Sequence, residues 1–312
     1  MARLNFDVPK LMAAGGRPSV ACEITSAGVI AAATPGAGQP AVYAAEPFTA
    51  MVVMPGLAEG NIVDPPVVSS ALRSALGQVS ARTRSVTLVV PDSAVRVFVL
   101  DFDTLPSRQD EALPVLRFRL RKSIPFDVET AGITYQVLSE GSSRLETQWK
   151  VLAAVIPGPV LAEYESAVRA AGYEPGAVIP AGLAVLEALS SADSHEAVLT
   201  VNLSGQSLTT TIVSGNDMML YRTVELPGDP EQVPGEVQRA VAVAAAFYED
   251  RLQVRPHRVL YSGILSVEDF TLMLDDAELA VSELSPKPET GMLSALGQQS
   301  VAGVTGALAG TN

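Results

Sequence analysis

The stretch that decides the fold runs from Ser85 to Pro157. It opens SVTLVVPDSAVRVFVLDF (85–102), passes into SRQDEALPVLRFRLRKSIPF (107–126), and continues through GITYQVL (132–138) to QWKVLAAVIP (148–157). The Val-rich apolar or alternating runs read as strands. The polar-to-basic segment between them reads as a helix that must stop at Ile124-Pro125-Phe126, because proline has no amide hydrogen to continue the ladder and its ring clashes with the preceding turn. Residues 85–157 therefore read as a small β-β-α-β-β unit, its first two strands a hairpin, set inside a longer α/β chain. Such a unit offers sheet edge and groove, and no cluster of nucleophile, base or metal ligand, which points to binding rather than catalysis.

Working outward, residues 17–84 read as the first part of a first lobe: strands VACEITSAGVIAAAT and PAVYAAEPFTAMVVM, then a helix from about Pro66 to Gln78. Residues 158–194 return to it, beginning with helix GPVLAEYESAVRAAG. That helix spaces Leu161, Tyr164 and Val168 on one face and ends at Gly172, where a left-handed cap is wanted. Residues 195–312 read as a second lobe. It starts with a hairpin turning at Gly215-Asn216-Asp217 and goes on through helix PGEVQRAVAVAAAFYEDRL, strand RVLYSG, a helix near VEDFTLMLDD, strand AVSEL and the helix LSALGQQSVAGVTGALAG. Strands precede helices in both halves, consistent with a duplicated α/β architecture.

At 312 residues the chain exceeds what one core usually serves, so two lobes or more are expected. Its 21 basic and 34 acidic residues give a net charge of −13, which argues against nucleic acid and for a partner with basic groups. Cys22 is the sole cysteine, so no internal disulfide is possible, and it reads as a buried strand thiol in a reducing compartment. The uncharged run Ile24 to Ala45 is broken by Pro35-Gly36-Ala37-Gly38-Gln39-Pro40 and reads as two strands and a turn rather than a membrane span. The N-terminus lacks an apolar signal core. His195 and His257 are too isolated for a metal site, Asp275-Asp276 read as a solvated turn, and no metal is expected. Arg117, Arg119, Arg121 and Lys122 form the one basic run, read as a solvated helix face or as the rim of a partner groove.

Several of these segments carry a family resemblance. Val90-Pro91-Asp92-Ser93 before an apolar strand, Ile124-Pro125-Phe126 some thirty residues on, the strand bearing Tyr135, Asn61-Ile62-Val63-Asp64 before PVVSSALRSAL, and Tyr221-Arg222-Thr223-Val224 leading to Gly228 together resemble the type IV pilus assembly PilM family, actin-like proteins related to the cell-division protein FtsA. The resemblance implies two ribonuclease-H-like lobes with a small inserted subdomain, and a nucleotide held between two strand turns. At those turns this sequence departs from the pattern. Glu23 stands for the first acid, Thr25 stands where glycine is expected, no lysine follows, and Gly28 comes late. In the second turn Asn202 replaces the acid and Ser204 the glycine, with Gly205 displaced by one; Gly228 and Gly263 complete the expected cleft. Asparagine cannot supply the charge that holds magnesium, so no catalytic residue and no cofactor are expected, with a divergent ATPase that binds magnesium and ATP as the alternative.

The same resemblance implies a cytoplasmic protein, peripheral at the inner membrane, that captures the N-terminal tail of a PilN-type membrane protein in a groove between the first lobe and the insert, with PilO and motor ATPases as further partners. Here the groove walls would fall on Val86, Leu88, Val90, Val97, Val99, Ile124, Pro125 and Phe126. Direct membrane insertion is not implied. The other readings are the cytoplasmic actin-like domain of a type II secretion protein and a polymer-forming protein like FtsA.

Overall fold

The computed structural model describes residues 17–35, 39–79, 83–139, 149–189, 197–215, 217–276, 278–284 and 300–309. Three sheets organise them. The first lobe is built on β1 (Val20–Ile24), β2 (Gly28–Ala33), β3 (Val42–Pro47), β4 (Ser85–Val90) and a later strand, β8 (Glu174–Pro180), in the order β3-β2-β1-β4-β8. The first three are antiparallel; β4 joins β1 in parallel, pairing Cys22 with Leu88, and β8 joins β4 in parallel.

Strand periodicity explains how this sheet is covered. Cys22, Ile24, Val86, Leu88 and Val90 face α1 (Pro65–Gln78) and α3 (Gly158–Ala170), which contribute Leu72, Leu76, Tyr164 and Val168. Ala21, Ile30, Val89 and Ile179 face the opposite way, against α4 (Ala181–Glu187) and the C-terminal α7 (Ala302–Ala309). A sheet buried on both faces needs near-continuous apolar strands, which SVTLVV and GVIAAA supply. Helix α1 begins at an Asp64 side chain that accepts from the Val67 amide, with proline in its first turn.

The second lobe repeats the plan with β9 (Ala197–Leu203), β10 (Ser207–Ser214), β11 (Asp217–Glu225), β12 (Arg258–Gly263) and β13 (Ala280–Glu283), ordered β11-β10-β9-β12-β13. Leu199, Val201, Leu203, Leu208 and Ile212 pack on α5 (Val233–Leu252) and α6 (Val267–Leu274). The alternate residues Thr200, Thr209 and Thr211 lie on the other face, and the Thr200 and Thr211 hydroxyls share a hydrogen bond of 2.6 Å.

The insert holds β5 (Arg96–Phe102), α2 (Gln109–Leu120), β6 (Gly132–Ser139) and β7 (Trp149–Ile156), with sheet order β5-β7-β6. Leu116 and Leu120 of α2 pack on Val151, Ala153 and Val155. Its composition corrects the expected β-β-α-β-β unit. Ser85–Val90 belongs to the first-lobe sheet, so residues 85–102 form no hairpin; a single 3-10 turn, Asp92–Ala94, carries the chain from one sheet into the other. The C-terminal boundary shifts as well. Helix α7, expected in the second lobe, packs its Val304, Ala307 and Leu308 with Leu183 and Leu186 on the first-lobe sheet. The expected turn residue Asn216, His195, and residues 293–299 and 310 of the expected C-terminal helix lie outside the described residues.

Candidate functional site

The two lobes face each other across a cavity of about 390 Å3. One wall is the β1–β2 turn with Glu23, Ile24, Thr25, Ser26 and Ala27; the other is the β9–β10 turn with Asn202, Leu203, Ser204, Gly205 and Gln206. Ser262, Gly263 and Ile264 at the end of β12 close one side, and Ser300 and Gly303 close another. Among the lining residues are two carboxylates, Glu23 and Asp92, and no lysine, arginine or histidine.

Both turns spend their amides internally. In the first, the Thr25 hydroxyl accepts from the amides of Ala27 (3.1 Å) and Gly28 (3.0 Å) and donates to the Gly28 carbonyl at 3.0 Å. In the second, the Ser204 hydroxyl accepts from the amides of Ser207 (3.0 Å) and Gln206 (3.4 Å) and donates to the Ser207 carbonyl at 3.0 Å. The residues standing where glycines are expected thus form hydroxyl-capped turns. Loop amides are the groups that cradle phosphate in anion sites, and here those of Ala27, Gly28, Gln206 and Ser207 already have partners.

Asp92, which sequence reading passed over as part of a hairpin turn, is the centre of the site. Its carboxylate is 4% exposed and ties the first lobe to α4 and to the second lobe. Oδ1 accepts from the Gly182 amide (2.8 Å) and the Tyr221 hydroxyl (3.0 Å); Oδ2 accepts from the Thr209 hydroxyl (2.7 Å) and the Asn202 amide (3.3 Å). Burial raises its pKa while the four donors pull it back down. Burial, and then the Asp92 charge, push Tyr221 well above the usual tyrosine range, so its hydroxyl stays a donor. Gly182 has no room for a side chain: a Cβ there would lie 2.6 Å from the Tyr221 hydroxyl and 2.9 Å from Asp92 Oδ2.

Glu23 is half-buried beside this cluster, and its carboxylate abuts Gly303 of α7 so closely that no Cβ fits there. Burial, with the Asp92 charge second, raises its pKa to about 8. Cys22 is buried and its thiol is pushed up to about 12, the state of an inert core thiol.

The structure brings Glu23, Thr25, Asn202, Ser204, Gly205 and Gly263 together at the cavity. Gly28 is not there: it starts β2 opposite Pro47, where a Cβ would meet the Glu46 carbonyl oxygen at 2.5 Å, so it serves strand approach. Gly228 is exposed in the loop after β11, also away from the cavity. The residues expected to wall a peptide groove do not share one surface. Val86, Leu88 and Val90 are fully buried in the first-lobe core; Ile124 and Phe126 pack within the insert, leaving Pro125 exposed; Val97 and Val99 are half-buried toward the core shared with Tyr221. The basic run divides too. Arg117 donates to the carbonyls of Val128 and Ala131, Arg121 pairs with Glu129, and Arg119 and Lys122 are exposed.

No family model matches the sequence, and no curated protein matches it. Solved structures do. A chain of a PilM–PilN type IV pilus biogenesis complex superposes with a TM-score of 0.75 at 19% identity, covering 96% of this chain and 100% of that one. The cytoplasmic domain of EpsL, an inner membrane component of the type II secretion system of Vibrio cholerae, gives 0.50 at 14% identity, with 89% and 92% covered. A Bacteroides thetaiotaomicron protein of actin-like ATPase fold and unknown function gives 0.53 at 9% identity, with 89% and 94% covered. The chain has the actin-like fold.

Proposed function

We propose that the protein is a non-catalytic scaffold of a type IV pilus machine, docked on the cytoplasmic tail of a PilN-type inner-membrane protein and thereby peripheral at the membrane. The observation that supports it most is the state of the interlobe cleft. Two carboxylates face it, no basic side chain among the described residues lines it, and the amides of Ala27, Gly28, Gln206 and Ser207 are capped by Thr25 and Ser204. A triphosphate needs basic side chains and unoccupied loop amides, and of the two acids that could help hold its magnesium, Asp92 already accepts four hydrogen bonds. The pilus assignment draws on the likeness to a PilM chain over nearly the full length of both. Among the described residues no helix is long and apolar enough to cross a membrane, so attachment through a partner suits the chain.

An extended tail binds by main-chain pairing to an open strand edge, with side chains supplying selectivity. Strand β6 offers such an edge: among the described strands it pairs with β7 alone. Its Gln136 carries a buried Oε1 with no hydrogen-bond partner, an unsatisfied acceptor that a donor from an incoming chain would satisfy once the side chain turns outward. The net charge of −13 favours a tail with basic residues.

Fluorescence anisotropy with a labelled PilN-type tail peptide tests the reading. The expected result is saturable binding that added magnesium and ATP do not change and that Gln136→Leu weakens about tenfold, the scale of one lost hydrogen bond. Absence of tail binding by the wild-type protein overturns it. The likeness to the EpsL cytoplasmic domain supports a second reading, a type II secretion scaffold, which the same titration separates by partner.

A further inference from the structure

We infer that the interlobe cleft is a binding site for a small organic cation, a primary ammonium carried on a short apolar body, with Glu23 as its counter-ion. This goes beyond the scaffold reading and does not depend on it.

The cavity, at about 390 Å3, is within the range of small-molecule sites. Its apolar lining residues include Ile30, Val185 and Ile264. The polar groups discriminate among ligands by charge. An anion finds no cation among the lining residues and faces two carboxylates. A divalent metal fares no better: among the described residues no three His, Cys, Asp or Glu side chains converge, and both Asp92 oxygens already accept two hydrogen bonds each. Glu23 is different. Its carboxylate lines the cavity and makes no hydrogen bond or ion pair with any described residue. One unpaired carboxylate in an apolar cavity matches one ammonium, which satisfies it through a charge-assisted hydrogen bond while the apolar body covers the walls.

Binding of such a ligand is coupled to protonation. The empty site holds Glu23 largely as the acid at pH 7, because burial and the neighbouring Asp92 raise its pKa to about 8. An arriving ammonium pairs with the carboxylate and so releases a proton to solvent. Among the described residues, Asp92 is the other titratable group lining the cavity, Cys22, adjacent on β1, stays a neutral thiol, and α7 and the second-lobe wall present no titratable side chain to Glu23. The affinity therefore rises with pH, by about eightfold from pH 7 to pH 8.5, as Glu23 ionises before the ligand loses its own charge.

Isothermal titration with three probes of matched shape, 2-phenylethylammonium, 2-phenylethanol and 3-phenylpropionate, tests the inference. The ammonium is expected to bind at least tenfold more tightly than the alcohol or the acid, with proton release at pH 7, and Glu23→Gln is expected to remove that preference. Equal affinity for ammonium and alcohol, or an unchanged preference in the folded Glu23→Gln protein, overturns it. Should the variant fail to fold, the wild-type pH series decides: a flat ammonium affinity between pH 7 and pH 8.5 overturns it equally.

Discussion

The two lobes share one sheet plan and differ in what they present to each other. Each orders its strands as three antiparallel followed by two parallel, and each ends its first strand in a turn capped by its own hydroxyl, Thr25 in one and Ser204 in the other. Their facing walls have opposite hydrogen-bonding sense. The first lobe brings acceptors, the carboxylates of Asp92 and Glu23; the second brings donors, the Asn202 amide and the hydroxyls of Thr209 and Tyr221. A duplicated fold with like walls needs a third party to join them. Here donor meets acceptor directly at Asp92, so the protein joins its lobes with its own groups and leaves Glu23 facing the cavity.

The sharpest way to break that pairing is Asp92→Ala. It strands four donors, three of them side chains of the second lobe, at a buried site. Removing one partner of a buried charged network costs about 3–5 kcal/mol, and urea denaturation should show a fall of that size. A loss below about 1 kcal/mol would mean that the donors find water and that the pairing does not hold the lobes together. Leu88→Ala sharpens the comparison from the side of the first lobe. Leu88 sits fully buried on β4, an inner strand of a five-stranded sheet, and truncation there costs about 2–5 kcal/mol in comparable cores; a near-zero effect would return strand β4 to an exposed groove wall.

The smallest effect is on pH. Glu23 has a folded-state pKa raised to about 8 against an ordinary value of 4.5, and that of Asp92 is also raised. Folding therefore favours the protonated acids. Stability contributed by this wall is full below about pH 4 and is lost as pH climbs toward 8, the reverse of the usual salt-bridged carboxylate. Differential scanning calorimetry of wild type and Glu23→Gln should diverge between pH 5 and pH 8, with the variant retaining about 3 °C more of its Tm at the upper end. Parallel curves would place Glu23 in open solvent.

Much of this was legible in the sequence, for reasons that particular residues make plain. Helix α3 announced itself through Leu161, Tyr164 and Val168 at helical spacing and through Gly172, which has φ +93°. The β10–β11 hairpin was legible from its turn, where Gly215 has φ +58°. The departures at Thr25, Asn202 and Ser204 were visible as departures; what the hydroxyls do, cap the turn amides, needed the backbone geometry. Strand β4 was misplaced because two apolar strands separated by Pro91-Asp92-Ser93 look the same locally whether they pair or part, and pairing is decided by β1 and β8, more than sixty residues before and eighty after. Asp92 was missed for the same reason. Its partners at 182, 202, 209 and 221 lie about 90 to 129 residues away, and no local pattern marks a side chain whose role is to receive them. The close approach at Gly182 was the one available hint, a glycine at the start of a helix where nothing local asks for one.

The central claim is that the Asp92 network, rather than a bound nucleotide, joins the two lobes across the cleft. Isothermal titration of magnesium and ATP into the wild-type protein at high concentration tests it most directly. The account predicts no saturable heat. Stoichiometric binding of ATP with magnesium would contradict it.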